Sequence, residues 1–338
     1  MLRVLGILLT LLCAVAAAVL TWPSFFRVDR TFPIAQIVSF RGVLTLAFGV
    51  LLVLALLLAL IRPIRGFAFS IAVVAAAATI ANGAIVASRG LGTEGLPATT
   101  EDSIRVLTWN TAGADNADTV AQIAVAMDAD IVTLPETTIE TGEAVALAMR
   151  DLDHRMWAYH AEYGEDGWDA RSTTLLISPD LGEYSVIESS ADGSSNTSTV
   201  PSAVAMPVDG SGPTIVAAHA VAPRQSAMEH WRTDLQWLAD QCGASDVIMA
   251  GDFNATLDHF GGLGFEGGSL GRCHDAASET GNGAIGTWST EFPALLGAPI
   301  DHVMAGSDWK ATGSLVLTTL DDSGSDHRPL VVQLEPAG

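Results

Sequence analysis

The sequence predicts a layered α/β domain with mixed β-sheets, preceded by a membrane anchor of three helices. The chain has 338 residues, of which 49% are hydrophobic and 16% charged, and its mean hydropathy of +0.36 is high for a soluble protein. Long apolar runs precede residue 90, and short β-branched runs alternate with helical segments after residue 103. These two patterns divide the chain into a membrane part and an α/β part.

Charge is divided along the same boundary. Residues 1–100 contain seven Arg and two acids, so of the 16 basic and 38 acidic residues in the chain, nine and 36 remain for residues 101–338, a net of −27. This balance opposes tight nonspecific DNA binding, which depends on Lys and Arg neutralising phosphates. Three cysteines exclude a disulfide scaffold and a CxxC-type zinc module.

Residues 1–88 are predicted to form the anchor. The first run, Val4–Leu20, is at the short end of what spans about 30 Å of hydrocarbon, and Arg3 before it leaves a cleaved signal peptide open as an alternative. The two later runs favour a retained anchor, and the absence of acidic residues from the spans argues against a channel or transporter. The expected spans are residues 4–20, 40–61 and 67–88.

The loop charges predict which side of the cell membrane the domain occupies. The short Arg62–Arg65 turn favours the cytoplasm, which puts the domain of this multi-pass protein outside. Opposing evidence comes from three further arginines, Arg27, Arg30 and Arg89. Cys242 and Cys273 would then share an oxidising compartment, but the sequence leaves open whether they pair.

Two segments lack the patterning of helices and strands. Residues 89–102, rich in Gly, Thr, Pro and acids, are predicted to be a flexible linker before a domain at 103–338. The low-complexity segment Ser189–Thr199 is predicted to be an exposed loop.

Polar residues that could take part in catalysis or metal binding follow several of the predicted strands. The apolar run Val247–Ala250 delivers Asp252 and Asn254, two residues apart, so both side chains can point to one place. Their oxygens suit a hard cation such as Mg²⁺ or Mn²⁺, although an Asx-rich turn is an alternative. Asp326 lies beside His327, and Asp301 could orient that imidazole by accepting its ring N–H.

Taken together and in order, these segments resemble the endonuclease/exonuclease/phosphatase superfamily, which includes deoxyribonuclease I-like nucleases, inositol-polyphosphate 5-phosphatases and neutral sphingomyelinases. The resemblance covers about residues 103–335. It implies a four-layer α/β sandwich, with two face-to-face mixed sheets flanked by helices. The motifs that carry it are RVLTWNTAG, DADIVTLPET, VAAHAVAP, VIMAGDFNAT, GTWS, PIDHVMA and GSDHRPLVVQL.

The resemblance also implies a metal site. Glu136 matches the metal-binding Glu, Asn110 an Asn that positions metal or phosphate, and Asp326 a second carboxylate near the metal. The implied cofactor is Mg²⁺ or Mn²⁺, with Ca²⁺ as a further candidate. Pro135 departs from the family, where Gln commonly precedes the metal Glu, which puts substrate detail in doubt.

The catalytic roles follow by motif. Asp252 resembles the Asp that orients or deprotonates the attacking water, with Asn254 as its partner on the phosphate. His327 resembles the His at the scissile phosphate, with Asp301 as its carboxylate partner, and His219 matches the additional His of deoxyribonuclease I-like members. With unperturbed pKa values of about 6.5, both histidines would donate protons near neutral pH.

The remaining motif residues are open or structural. Arg171 is a candidate phosphate contact, and Trp288 of GTWS either packs beneath the site or contacts substrate. Six other histidines are interpreted as surface or structural residues: His154, His160, His230, His259, His274 and His302.

The expected function is hydrolysis of a phosphate ester by direct water attack, in a metal-dependent enzyme tethered to the membrane. Nucleic acid, a lipid head group and a small phosphodiester remain open as substrates, and no protein partner is indicated. The alternative is a non-catalytic binding or scaffold module of the same fold, which loss of Glu136, Asp252 or His327 would mark; all three are present.

We expect the α/β domain to lie outside the cytoplasm. Alkaline phosphatase fused after Ser103 should therefore be active, because that enzyme needs export, whereas a fluorescent protein at the same position should stay dark. A fluorescent and phosphatase-silent pair of fusions would contradict the predicted orientation.

Overall fold

A computed structural model describes residues 2–92, 95–114, 116–164, 168–187 and 189–338. The chain divides into two compact units, one ending at Ser88 and the other beginning at Arg89. Each unit has its own hydrophobic core.

The N-terminal unit is helical. Among the described residues, three of its helices are long and apolar enough to cross a membrane, because their side chains are hydrophobic nearly all round. They lie close to the predicted spans, and a short helix precedes the second of them. The helices are α1 (Leu2–Thr21), α2 (Ile34–Val38), α3 (Arg41–Leu58) and α4 (Arg65–Ser88).

Polar side chains join these helices. The guanidinium of Arg41, which is 5% exposed, donates to the carbonyl of Leu20 at 2.9 Å and to Asn82 Oδ1 at 2.6 Å. Asn82 in turn donates to Thr21 Oγ1 at 3.0 Å. In hydrocarbon, such contacts would satisfy polar groups that otherwise have no partner.

In its described residues, the C-terminal unit contains two six-stranded mixed sheets flanked by helices, which confirms the predicted α/β sandwich. The strands of the first sheet are β1 (Ile104–Thr108), β2 (Ile131–Pro135), β3 (Trp157–Glu162), β4 (Ser172–Ile177), β11 (Trp309–Val316) and β12 (Leu330–Pro336). Those of the second are β5 (Tyr184–Val186), β6 (Ala203–Pro207), β7 (Thr214–His219), β8 (Val247–Asp252), β9 (His274–Asp275) and β10 (Asp301–Ala305). The first sheet has the strand order β11-β12-β1-β2-β4-β3 and the second β5-β6-β7-β8-β10-β9.

The main core lies between the sheets, and a second core covers the outer face of the first sheet. The main core includes Val106 and Ile131 from one sheet and Ile215 and Ile248 from the other, all inaccessible to solvent. In the second core, Leu107 and neighbouring strand residues pack against the apolar faces of two helices. The helices of this unit are α5 (Ala117–Ala126), α6 (Ile139–Asp151), α7 (Met228–Gln241) and α8 (Ala276–Glu279).

Parallel pairing places the strand ends that precede the candidate site residues close together. β1 is parallel to β2 in the first sheet, and β7 is parallel to β8 in the second. The carboxyl ends of parallel neighbours meet at one edge, so the residues that follow them share one rim.

The segment expected to be a flexible linker is bound to the domain at its start. Arg89 forms a bidentate ion pair with Asp258, at 2.8 and 2.9 Å, and its carbonyl accepts the backbone N–H of Gly283. Gly92 donates to the carbonyl of Gly281. Residues 89–92 therefore belong to the folded domain, while residues 93 and 94 lie outside the described residues.

Cys242 and Cys273 form a disulfide between residues 31 apart in sequence. Both cysteines are inaccessible to solvent. The bond joins the end of α7 to the segment that leads into β9.

His302, on β10, has a structural role, in line with its interpretation from the sequence. Its Nδ1 lies 2.6 Å from Asp275 Oδ2 and its Nε2 lies 2.9 Å from the carbonyl of Ala255, so both ring nitrogens face acceptors. Burial lowers the pKa of His302, but the charge and hydrogen bond of Asp275, aided by Ala255 and Asp301, outweigh it, and the pKa is raised.

We expect this pair to stabilise the domain most at acid pH. A raised folded-state pKa contributes stability that is fully present below the unfolded value of about 6.5 and is lost as pH rises through the folded value. Asp275→Asn, which keeps the α8 N-cap oxygen, should cost roughly 1–3 kcal/mol in unfolding free energy at about pH 6. Thermal unfolding across pH would measure this, and an equal loss at alkaline pH would contradict the assignment.

Candidate active site

Three site residues lie side by side across the second sheet. In the strand register, His219 at the end of β7 is opposite Asp252 at the end of β8, and Asp252 is opposite Asp301 on β10. Each is at most 2% exposed. Residues directly opposite on neighbouring strands point to the same face of a sheet, so the backbone alone brings these three groups together.

The first sheet contributes Asn110 and Glu136, which follow the parallel strands β1 and β2. Asn110 Nδ2 lies 3.2 Å from Glu136 Oε1 and 3.0 Å from Asp252 Oδ2. Its Oδ1 accepts the backbone N–H of Ala112 at 2.9 Å. In this arrangement Asn110 positions a carboxylate from each sheet through its amide N–H groups.

His327 joins the two sheets through Asp301. His327 Nδ1 lies 2.8 Å from Asp301 Oδ2, while the indole N–H of Trp109 donates to the carbonyl of His327 at 2.9 Å. The hydroxyl of Ser325 donates to the carbonyl of Asn110 at 2.6 Å and accepts the N–H of His327 at 3.0 Å. The imidazole is thereby fixed in position and orientation.

Asn254 holds the Asp252 carboxylate through both its backbone and its side chain. Its backbone N–H donates to Asp252 Oδ1 at 2.7 Å, and its side-chain amide donates to Asp252 Oδ2 at 3.1 Å and to the carbonyl of Ala220 at 2.9 Å. Together with the contact from Asn110, three N–H groups converge on one carboxylate.

Trp288 and Arg328 position the part of the site around Asp326. The sequence did not establish this role for either residue. The Trp288 indole N–H donates to Asp326 Oδ2 at 2.8 Å. Arg328, 1% exposed, pairs with both oxygens of Asp321 at 2.7 and 2.8 Å and donates to the carbonyls of Gly286 and Phe292. Arg328 stands between His327 and the apolar strand β12, and this order of residue types gave no signal of its hydrogen bonds.

Backbone strain and close packing mark the site as well. Glu136 and Asn254 have φ of +56° and +47°, in the left-handed region that non-glycine residues rarely occupy. A side chain at Gly251 would overlap the Ala218 carbonyl, so only glycine allows β7 and β8 to approach this closely before Asp252. Strain of this kind concentrates at functional sites.

The expectation that both histidines titrate near neutral pH is wrong. Burial lowers the pKa of His219 to about 3, and the charge of His327 adds to that effect. Burial also lowers the pKa of His327, but the charge and hydrogen bond of Asp301 outweigh this effect. Together with the charges of Asp252 and Asp326, they raise the pKa to about 10. These shifts favour a cationic His327 and a neutral His219.

The pKa of Asp252 is raised to about 7, mainly by burial and then by the charge of Asp301. The charge of His327 and the N–H groups of Asn254 and Asn110 act in the opposite direction. A carboxylate with this pKa can accept a proton near neutrality. The site thus holds a proton donor and a proton acceptor whose pKa values differ, as acid–base chemistry requires.

The segment Ser189–Thr199 is only partly the exposed loop that was expected. Asn196 and Thr197 are 2% and 0% exposed, and Asp234 accepts both the backbone N–H and the hydroxyl of Ser198 at 2.7 Å. The turn ends at Ser202, whose hydroxyl accepts the backbone N–H of His219 at 2.9 Å. Asn196 is hydrogen-bonded to Ser202, so the segment is linked through Ser202 to the site residue His219.

Four carboxylates converge here against one imidazolium, which suits a cation. Ligand atoms of Asp252, Asp301 and His327 lie within 4.8 Å of one another, close enough to hold a metal ion. The buried Asp301 Oδ1 has no hydrogen-bond partner among the residues that the structure describes. Glu136 and Asp326 side chains are 28% and 53% exposed, so a hydrated cation can reach their oxygens, the ligands that hard cations prefer.

Residues 107–327 match the model of the Endonuclease/Exonuclease/phosphatase family. The chain belongs to this family. The match spans every site residue described above except Arg328, which directly follows it, and it supports hydrolase activity on phosphate esters.

Solved structures share the fold at low sequence identity. The family protein from Beutenbergia cavernae DSM 12333 is 16% identical, with a TM-score of 0.52 over 70% of this chain and 72% of that chain. Humanized D. rerio TDP2 is also 16% identical, with a TM-score of 0.54 over 70% of this chain and 100% of that chain. D. rerio TDP2 in complex with a single-strand DNA product is 17% identical, with a TM-score of 0.50 over 70% and 100% of the two chains. No curated protein matched at the significance required.

We expect His327 and its partner Asp301 to act as one unit. Replacing His327 by Ala should lower turnover by roughly 10²–10⁴-fold, the range for a positioned acid. Asp301→Asn should cost much of the same factor, and the double variant should cost less than the product of the singles. Steady-state kinetics on the variants would measure these factors.

The exposed His230, substituted by Ala, is the matched control and should leave the rate near wild type. Normal kinetics for a folded His327→Ala variant would contradict the site assignment.

Proposed function

We propose that this chain is a metal-dependent phosphoesterase that hydrolyses phosphodiester bonds by direct attack of water while tethered to a membrane. The observation that carries the proposal is the row His219–Asp252–Asp301 across three strands, with His327 held 2.8 Å from Asp301. Water is a sufficient nucleophile, because acid, base and phosphate-binding groups already surround one point.

The acid and base roles follow from the environments of two groups. Asp252, with a pKa near 7, takes a proton from the attacking water. His327, cationic and oriented by Asp301, donates a hydrogen bond or a proton to the phosphate oxygens, where negative charge grows in the transition state. Asn254 and Asn110 hold the Asp252 carboxylate in place through their N–H groups.

Glu136 and Asp326 are the residues proposed to hold the metal. Their carboxylate oxygens fit Mg²⁺ or Mn²⁺, and Ca²⁺ is a further candidate. A divalent ion bound there supplies neutralisation of the charge that develops on phosphate. Asp252, Asp301 and His327 form the alternative cluster, but the Asp301–His327 hydrogen bond and the cationic state of His327 favour a proton-handling role.

The substrate is proposed to be a phosphodiester of nucleic acid, of a lipid head group or of a small molecule. The net charge of −27 over residues 101–338 disfavours nonspecific nucleic-acid binding. One similar structure contains a single-strand DNA product, which keeps nucleic acid among the candidates. Membrane attachment adds lipid head groups.

The proposed location is a multi-pass membrane protein with its catalytic domain outside the cytoplasm. Three helices of sufficient length and apolarity support the anchor. The Cys242–Cys273 disulfide supports the orientation, because disulfides persist in exported proteins and are rare in the cytosol.

A substrate panel tests the proposed function. The purified full chain would be assayed with plasmid DNA, RNA, sphingomyelin, phosphoinositides and bis-p-nitrophenyl phosphate, each with Mg²⁺, Mn²⁺ or Ca²⁺. We expect hydrolysis of at least one phosphodiester that Asp252→Asn abolishes. No hydrolysis in any combination would favour the non-catalytic alternative.

Metal removal is the second test. EDTA should abolish hydrolysis and Mg²⁺ or Mn²⁺ should restore it, because Glu136 and Asp326 offer only oxygen ligands. Glu136→Gln should weaken Mg²⁺ binding measured calorimetrically, with His230→Ala as the matched control. Full activity in the presence of chelator after exhaustive dialysis would contradict the proposed metal dependence.

A further inference from the structure

The two ring nitrogens of His219 face different groups. His219 is 2% exposed, its Nδ1 lies 3.4 Å from Thr173 Oγ1 and its Nε2 lies 3.8 Å from Glu136 Oε1. A neutral imidazole carries one proton on one of these nitrogens. Its chemistry at the site depends on which nitrogen carries it.

The Thr173 hydroxyl decides between them. Thr173, on β4, is inaccessible to solvent, and its Oγ1 lies 2.7 Å from the carbonyl of Pro201. A carbonyl only accepts hydrogen bonds, so the single hydroxyl proton points to Pro201. Towards His219, Thr173 presents lone pairs, and a hydrogen bond there requires the proton on Nδ1.

The turn that supplies this carbonyl is itself fixed. Asn196 Oδ1 accepts the backbone N–H of Ser202 at 3.1 Å, and its amide donates to the Ser202 carbonyl at 2.8 Å. Ser202 also accepts the backbone N–H of His219. The buried end of the Ser/Asn-rich segment therefore holds both the hydroxyl acceptor and the histidine backbone.

With the proton on Nδ1, Nε2 has a lone pair directed to the Glu136 side of the site. At 3.8 Å the Nε2 and Oε1 atoms are too far apart for a direct hydrogen bond. Both atoms then offer lone pairs to the space between them. Such a space favours a group that binds lone pairs, either a water molecule that donates its O–H groups or a divalent cation.

We propose that Thr173 is a positioning residue that fixes His219 as the Nδ1–H tautomer, so that His219 accepts at Nε2 instead of donating. The role of this lone pair in catalysis rests on the proposed function: Nε2 either orients a water molecule beside Glu136 or binds the cation together with Glu136. The role assigned to His219 differs from that of His327, which donates.

Histidine-selective ¹⁵N labelling of the full chain in detergent tests the tautomer directly. Long-range ¹H–¹⁵N spectra distinguish Nδ1–H from Nε2–H, and His219→Gln assigns the signal. We expect the Nδ1–H form in the wild type at neutral pH. An Nε2–H tautomer or an imidazolium would overturn the proposal.

Thr173→Val and Thr173→Ser form the matched pair, since Val keeps the shape without the hydroxyl and Ser keeps the hydroxyl. Thr173→Val should populate the Nε2–H form and lower kcat by roughly 10–100-fold, the usual effect of losing a residue that orients a functional imidazole, with little change in KM. Thr173→Ser should restore both. A pure Nδ1–H signal in folded Thr173→Val would refute the role of Thr173.

Adding Mg²⁺ after EDTA treatment distinguishes a cation from a water molecule as the partner of Nε2. A selective shift of the Nε2 resonance identifies the cation, and its absence identifies water; either result retains the lone pair at Nε2. The spectra need no turnover, so failure of the proposed hydrolysis would leave the tautomer result standing. A wrong tautomer in an active enzyme would refute this inference alone.

Discussion

The hydrogen bond between Asp301 and His327 is the interaction on which the site depends. Asp301 belongs to the second sheet, whereas His327 precedes β12 of the first sheet, and the two groups meet at 2.8 Å. The contact therefore fixes how the rims of the two sheets face each other. It also sets the charge of the imidazole, because a buried histidine without that carboxylate would be neutral.

Charge at the site follows from burial as much as from residue type. His219 and His327 are both almost completely buried, but the pKa of one is lowered and that of the other is raised, because Asp301 forms a hydrogen bond with His327 and only a longer-range charge interaction with His219. The same carboxylate raises the pKa of Asp252. Burial together with the charge of Asp301 thus distinguishes the proton donor from the proton acceptor, which a pattern of residue types along the chain does not reveal.

The sequence could predict the layered fold and where most polar groups of the site would lie. β-branched runs followed by Asn110, Glu136, His219 and Asp252 indicate strand ends at a rim, and the strand register brings the last two together. The pKa values could not be predicted, because they depend on contacts between residues such as Asp301 and His327 that are 26 apart in sequence.

Composition misled where polar residues are paired inside the fold. Asn196 and Thr197 lie in a segment that resembles a solvated loop, but they are buried, with their side chains donating to the carbonyls of Ser202 and Val200. The neighbouring Ser198 donates to Asp234, which is 36 residues away. The Gly-rich neighbours of Arg89 predict a linker, but its bidentate partner Asp258 is 169 residues away and holds it to the domain. In both cases long-range hydrogen bonding outweighs local composition.

The acidity of the domain constrains how it can bind a phosphate ester. A net of −27 repels an anion at long range, so affinity must come from a few short-range cationic contacts within the site. His327 is one such contact, and a divalent ion near Glu136 would be another. Because both act over a few ångströms, they recognise the phosphate itself. Discrimination among substrates then depends on the groups around the rim, such as Trp288 beside Asp326, more than on the extended charge of the substrate.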